Sequence, residues 1–546
     1  MQVFKRVKMH GTDWLCLLIF ILAAAICFST TVATSLNLLD SDASSELVLA
    51  NHLHETGNVL SDDWYYSTEL RVLNTQLIFA PLFGLFSSWR RVRLAGTLLL
   101  QLILVASYGY MIWQAGRDKK TFFLGSAMLL LPICVSYGRL VLTHAYYIPH
   151  IAISFFTIGH FLGCMNALKL QGHARFLRLT VYLLLYLSLS LGGALGGFRQ
   201  PAVTQAPLCL LALVVLWKAR SKDQRREGMQ LLVLALCGTA AALVGLKINE
   251  HWHSIYRFAS FGQAELNLIS PENFHDFLFG LLHQFGFRRG IPAISLLGLL
   301  SIAAIGVCVY FLFNCVRTVR DDALAETAGI NVLRLMLPCG MALGIVMFLL
   351  NVFPRDSERY LIPYSVWLIP LLCEMIFHCP VRRLMACVVC AVCLCNGVVN
   401  ARFLAEPTRR HQHYEGLTWT DTQSVERYSP VRDYLLAEGY DLGYCTFWNG
   451  NLLTEMSDGQ LRFCNLDVDE DTDELIHYNW LMLESNRSRP AQKPFLLLNE
   501  RDLSRLNADY LNQRFRLVHT IDTFRIYEPI DLAAWRAELE ASPSVP

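Results

Sequence analysis

The run WLCLLIFILAAAICFSTTVAT, Trp14 to Thr34, passes directly into SLNLLDSDASSE, Ser35 to Glu46. The first string is long and apolar enough to cross a bilayer as a helix. Lys5, Arg6 and Lys8 stand before it. It is therefore expected to begin on the cytoplasmic side, as an anchor rather than a cleaved signal. The second string places Asp40, Asp42 and Glu46 at the membrane exit, where carboxylates are poor company for lipid. Leu47–His54 follows, with apolar residues at 47, 49, 50 and 53, the pattern of a short amphipathic helix suited to a membrane surface. Gly57 ends it. Asp62-Asp63-Trp64-Tyr65-Tyr66 then supplies interfacial aromatics, and Glu69 and Arg71 precede the next apolar run. Spacing alone fits a solvated loop with an aromatic anchor as well as it fits a catalytic loop.

The whole chain agrees with a membrane reading. Of 546 residues 54% are hydrophobic and 17% charged, against about 25% in a soluble domain. This excludes a soluble enzyme, a disordered protein and a nucleic-acid binder, and the net charge of +1 identifies no partner. The charge is unevenly placed. Residues 1–400 hold 31 Lys/Arg and 21 Asp/Glu, whereas residues 401–546 hold 15 and 24. The expected fold class is therefore mainly α: a polytopic membrane domain over 1–400, with a first outer loop at 35–73, followed by a smaller α/β extracytoplasmic domain over 401–546.

Further candidate spans lie near 72–88, 94–114, 121–137, 146–168, 177–198, 203–217, 229–247, 291–313, 331–353, 360–378 and 384–400. With one doubtful segment, 11 to 13 membrane helices are expected. Lys169–Arg178, Lys218–Arg226, Arg317–Arg320 and Arg382–Arg383 are basic connectors and read as cytoplasmic. Arg199, the 248–290 loop, Arg355–Arg359 and the C-terminal domain then fall outside. Trp89–Arg93 and Gly116–Lys120 are both basic yet flank a single span, so one segment between 72 and 137 is expected to be short or re-entrant. In the C-terminal domain, Pro430–Gly439 and Asp502–Gln513 read as helices. Gly443–Trp448, Gln460–Asn465, Pro494–Leu498 and Arg516–Tyr527 read as β structure.

The first-loop arrangement resembles the GT-C superfamily of membrane glycosyltransferases, closest in style to protein O-mannosyltransferases and lipid A aminoarabinose transferases. In those proteins an acidic motif after the first span leads to a juxtamembrane helix, a Gly and a basic residue. The essential Asp stands about fifteen residues before the Gly. Counting back from Gly57 reaches Asp42, with Ala50 and Leu53 at small and apolar positions, and Arg71 near the basic position. The family's Lys-Pro-Pro-Leu form is absent. Gly138-Arg139-Leu140 is similar to a second outer-loop motif, with His144 where the family has Asp. Glu358-Arg359-Tyr360-Leu361-Ile362-Pro363 is similar to the Arg-Tyr-x-x-Pro that opens a late helix.

The resemblance implies a donor sugar carried on a polyprenyl phosphate and a glycan, lipid or protein acceptor at the outer membrane face. It implies inverting transfer with Asp42 as general base. Asp40 and Glu46 would orient Asp42 or, with His144, help bind a divalent cation, magnesium or manganese being the candidates. Asp40 and Glu46 equally suit capping of the juxtamembrane helix. The leaving phosphate calls for Arg, which donates in a planar fork and keeps its charge. Arg71, Arg139, Arg199, Arg355 and Arg359 are the candidates.

Other signals carry less. The 17 cysteines lie mostly in apolar runs, and Cys387, Cys390, Cys393 and Cys395 read as small hydrophobes. Cys445 and Cys464, on two expected strands, are a possible disulfide. Asp467–Glu474 reads as a solvated acidic loop, and Asn486-Arg487-Ser488 has the form of a glycosylation sequon. A flippase or other transporter is the rival class, and a non-catalytic membrane protein presenting its outer domain is a third. Glu374 is the main charge inside a span, and it lies toward the expected cytoplasmic end.

Overall fold

The computed structural model describes residues 9–67, 69–258, 271–288, 290–320, 327–350, 357–405, 424–542 and 544. Lys5, Arg6, Lys8 and Arg355 lie outside the described residues. Among those described, ten helices are long and apolar enough to cross a membrane, from Gly11–Asn37 (α1) to Pro380–Ala405. The pair Lys119–Leu130 and Val135–Thr143 is together long and apolar enough but is bent by 91°, the form of a broken span or a re-entrant loop. The bend falls at Pro132, which lacks the N–H a continuous helix needs. The chain is an integral multi-pass membrane protein, with ten such helices among the described residues, or eleven if the bent pair is one span, against the 11 to 13 expected.

The run near 72–88 is not a span. It forms the eight-residue helix Gln76–Phe83 (α3), too short to cross hydrocarbon about 30 Å thick. Basic segments still stand on either side of the next span, Trp89–Gln114 (α4), and each is answered by acids. The Trp89 amide donates to Asp458 at 2.7 Å, and Arg93 forms a fully buried ion pair with Glu455. The C-terminal domain's acids thus neutralise one end of α4. At its other end Arg117 meets Glu374 at 2.6 Å, and Arg334 meets the same carboxylate at 3.0 Å. Lys218, Arg317, Arg334 and Arg382 border one cavity on that side, so three of the basic connectors gather at one membrane face.

The opposite face carries an α/β cap. Its strands are Leu442–Thr446 (β1), Arg462–Val468 (β2), Leu475–His477 (β3), Pro494–Asn499 (β4), Phe515–Ile521 (β5) and Phe524–Pro529 (β6). They form one sheet in the order β3-β2-β1-β4-β6-β5, with β1 parallel to β2 and β4 and the other pairs antiparallel. Alternation sends Tyr444, Cys464 and Leu496 to one face and Cys445, Phe463 and Leu497 to the other. Cys445 and Cys464 therefore point away from each other, and both are free thiols rather than a disulfide. The expected strand at 443–448 stops at Thr446, because Phe447 and Trp448 open the helix Phe447–Met456. The helix expected at 502–513 is two pieces, Glu500–Leu503 and Ala508–Arg514, each started by its own Asn cap. In the sequon the Asn486 amide is buried and donates to the Phe463 carbonyl at 2.8 Å.

The first loop joins the two parts. Ser41–Thr56 (α2) closes at Gly57, whose φ of 71° is the left-handed conformation glycine adopts freely. This helix does not lie on lipid as its amphipathic pattern suggested. Most of its residues are buried, and it packs against α3 and the cap helix Phe447–Met456. Leu39 enters the core on one face of the cap sheet, and Tyr65 enters the core on the other. Tyr65 also pairs as a strand would, its amide donating to Met482 at 2.9 Å and its carbonyl accepting from Leu481 at 3.1 Å.

Candidate active site

The three carboxylates at the membrane exit, Asp40, Asp42 and Glu46, have three different fates. Asp40 is the N-cap of α2, accepting from the Ala43 amide at 2.8 Å, and it also pairs with Arg139. Glu46 is buried and bonded to Arg71 and to the Thr75 hydroxyl. Asp42, in the first turn between them, has no hydrogen bond or ion pair from its carboxylate among the described residues. It feels Asp40 beside it and Arg359, Arg139 and Arg71 around it. Burial and the Asp40 charge raise its pKa from 3.8 to about 6, against the pull of those arginines. Burial also acts on Asp40, but His144, Arg139 and the Ala43 amide outweigh it and hold Asp40 down at about 2. The pair thus titrates as one low and one high carboxyl.

His144 is buried, which lowers its pKa to about 4, so it is neutral at pH 7. Its Nε2 donates to the Leu38 carbonyl at 2.6 Å, and its Nδ1 lies 3.9 Å from Asp40. Arg139 therefore carries the charge opposite Asp40, and His144 ties the end of the first span to the neighbouring loop. The chain turns there through Ala145, at a φ of 64° that costs a non-glycine residue about 1–2 kcal/mol. A π-helical turn, Gly138–Thr143, leads into this bend, and another, Pro201–Gln205, follows Arg199.

Of the expected phosphate ligands, three already face carboxylates: Arg71 with Glu46, Arg139 with Asp40, and Arg199 with Glu69 at 2.8 Å. Arg199 also lies between Tyr147 and Tyr360, 5.5 and 5.3 Å from their ring centroids. Gly197 before it has a φ of 126°, open to glycine alone, and this aims Arg199 inward. Arg359 rests over the Tyr360 ring at 5.3 Å and has no carboxylate partner among the described residues.

One cavity of about 770 Å³ unites these groups. Asp40, Asp42, Glu46, Arg71, Arg139, Arg199 and Arg359 all line it, so the structure brings together every sequence candidate except His144 and the undescribed Arg355. Its upper wall comes from the cap, including Trp448, Asp467, Tyr478, Trp480 and Asp502. Glu69, noted in the sequence but given no role, pairs with Arg199 and lies 3.6 Å from His150. His150 and the cap residues carried no motif that could have marked them. Among the described residues no three His, Cys, Asp or Glu side chains form a metal-holding group. In this arrangement Asp40 and Glu46 serve arginines, which does not fit a divalent ion held by the first loop.

Fold and site together define a multi-pass membrane protein with one deep cavity of carboxylates and arginines at a membrane face, roofed by an α/β cap. Two solved structures follow a similar chain course. One is ArnT from Cupriavidus metallidurans in the apo state, at 12% identity over 95% of this chain and 98% of that one, with a TM-score of 0.49. The other is the archaeal oligosaccharyltransferase AglB from Archaeoglobus fulgidus in complex with an inhibitory peptide and a dolichol-phosphate. It matches at 12% identity over 90% of this chain and 70% of that one, with a TM-score of 0.47. No family model matches the sequence, and no curated protein matches it.

Proposed function

We propose that this protein is a membrane glycosyltransferase that moves a sugar from a polyprenyl-phosphate carrier to a hydroxyl acceptor. The site would lie at the extracytoplasmic face of the cell membrane, with the N-terminus cytoplasmic and the cap outside. The observation that carries the reading is the pairing of opposites in one cavity. Among the described residues the Asp42 carboxylate has no hydrogen-bond or ion-pair partner, and Arg359 lines the same cavity facing no carboxylate. A carboxyl poised near 6 is ionised at neutral pH and still basic enough to take a proton in a transition state.

The step balances simply. The acceptor oxygen attacks the anomeric carbon from the face opposite the phosphate, and its proton passes to Asp42. The bond from that carbon to the phosphate oxygen breaks, the electron pair leaves with the phosphate, and the anomeric configuration inverts. Arg359 would take the departing charge, because among the described residues no carboxylate competes for its guanidinium. Arg71, Arg139 and Arg199, each balanced by an acid, would orient the phosphate and keep the floor of the cavity from being strongly cationic. The aliphatic carrier would remain among the spans and membrane lipids.

Incubating membranes with radiolabelled polyprenyl-phosphate sugars and measuring label transferred to endogenous acceptor tests this. Loss of transfer in Asp42→Asn at normal expression is expected. Wild-type transfer in that variant would remove the proposed base.

A further inference from the structure

The cap's sheet has a feature that packing does not require. Strands β1, β2 and β4 run parallel, and their carboxyl ends, at Thr446, Val468 and Asn499, lie side by side. From β1 the chain passes to β2 on one side, and later reaches β4 on the other. Where successive connections diverge in this way, a crevice opens beyond the carboxyl ends of the strands, and ligands bind there in open α/β sheets. In this chain the crevice opens into the cavity that holds Asp42. Thr446, Trp448, Asp467, Asn499 and Asp502 line both.

We propose that this crevice is the acceptor subsite and that its occupant is a carbohydrate chain. The inference rests on the transferase reading and assigns the acceptor class that reading leaves open.

The lining chemistry separates carbohydrate from the alternatives. A sugar ring offers an apolar C–H face and a rim of hydroxyls that both donate and accept. Trp448 is 57% exposed although it sits in the first turn of the cap helix, so its indole is a ready platform for a ring face. Tyr478 and Trp480 add a stacked pair, 6.4 Å apart and 27° from parallel. Between these rings stand carboxylates that accept and guanidinium groups that donate. Asp467 is held by Arg505 at 3.0 Å, and Asp502 by the Thr446 hydroxyl at 3.1 Å and the Asn499 amide at 3.0 Å, so the polar rim is fixed in place. An acyl chain would leave those carboxylates unanswered. A phosphorylated head group would find the Arg505 guanidinium already answered by Asp467. A peptide adding to the sheet would need an edge strand, and β1, β2 and β4 are interior to the order. The burial-raised Tyr478 hydroxyl also feels both Asp467 and Asp42, which places this wall within electrostatic reach of the base.

The test uses the full chain in phosphatidylcholine–phosphatidylglycerol nanodiscs, applied to a printed array of oligosaccharides. The best-retained oligosaccharide is then titrated by biolayer interferometry, with lipid A vesicles and a Ser/Thr-rich peptide as competitors. Retention of at least one oligosaccharide is expected, weakened about tenfold or more in Trp448→Ala, as loss of a stacking ring implies. Asp467→Asn should weaken it further than a change in melting temperature explains, and Asp42→Asn should still bind. No retained oligosaccharide, equal retention by Trp448→Ala, or displacement by lipid A or peptide instead of by free oligosaccharide would overturn the proposal. The two readings fail separately. Undiminished transfer by Asp42→Asn ends the transferase reading while glycan retention is untouched, and absent glycan retention ends the subsite alone.

Discussion

Replacing Asp42 with Asn keeps the side chain's size and removes its charge and basicity. The folded carboxyl stands near 6 instead of 3.8, because burial and Asp40 oppose its ionised form. A gap of that size corresponds to roughly 2–3 kcal/mol against the charged state at neutral pH. The sign follows from proton binding. The folded carboxyl holds its proton more tightly than the unfolded one, so stability falls as the pH rises from about 4 through about 6. The Asn variant lacks this fall. Thermal unfolding in detergent should therefore find Asp42→Asn more stable than wild type at pH 7.5, by up to about 2–3 kcal/mol, and equal to it near pH 4. Over the same range wild-type kcat/KM should climb with pH and level off above about 6, whereas the variant stays flat and about 10²–10⁴-fold lower. Stability and activity moving in opposite directions is the signature of a strained functional group. A variant that is less stable at pH 7.5 would make Asp42 a structural partner and refute the reasoning, as would an unchanged pH profile.

Arg359→Gln should reduce kcat/KM for donor by about 1.5–3 kcal/mol, the range for a hydrogen bond to a charged group, with little change in melting temperature. Arg139→Gln should instead lower the melting temperature, since it leaves Asp40 facing only a neutral His144. Arg93→Met alone should destabilise by about 3–5 kcal/mol because it strands the buried Glu455, and the double variant Arg93→Met with Glu455→Leu should recover most of that loss in a thermal double-mutant cycle. Gly197→Ala should weaken donor binding through a misplaced Arg199, since its φ of 126° strains any Cβ-bearing residue, and a donor titration reads it directly. Treatment with EDTA should leave transfer unchanged, because Asp40 and Glu46 already hold arginines; restored activity on adding magnesium or manganese would reverse that expectation.

Most of the membrane domain was legible because an apolar run of sufficient length has few alternatives in lipid. The failures came where another physical demand prevailed. The 72–88 run is apolar, but it serves as a platform under α2 rather than as a span. Trp89–Arg93 and Gly116–Lys120 are both basic at opposite ends of one span, and acids more than 360 residues away in sequence neutralise the Trp89–Arg93 end. In the site, Asp42 and the arginines could be found because a motif and a topology converged on them. What no local pattern could reveal was which charges are already answered. Pairing separates Arg359 from Arg71, Arg139 and Arg199, and it is a property of the folded cavity. The cap's contribution was hidden for a similar reason. Trp448 reads as the end of a strand, and only the turn into a helix after Thr446 brings it over the cavity.

The strand-like pairing of Tyr65 with Leu481 and Met482, and the buried bond from Arg93 to Glu455, constrain the order of biosynthesis. The first loop and the start of α4 are translated before their partners, Glu455 following Arg93 by 362 residues. Until then Arg93 has no counter-charge from Glu455, and Tyr65 lacks the cap core that receives it. A partly made copy would thus lack a finished cavity. The part that arms the site is synthesised after the spans, and a chain truncated before residue 455 should be inert even with every span inserted.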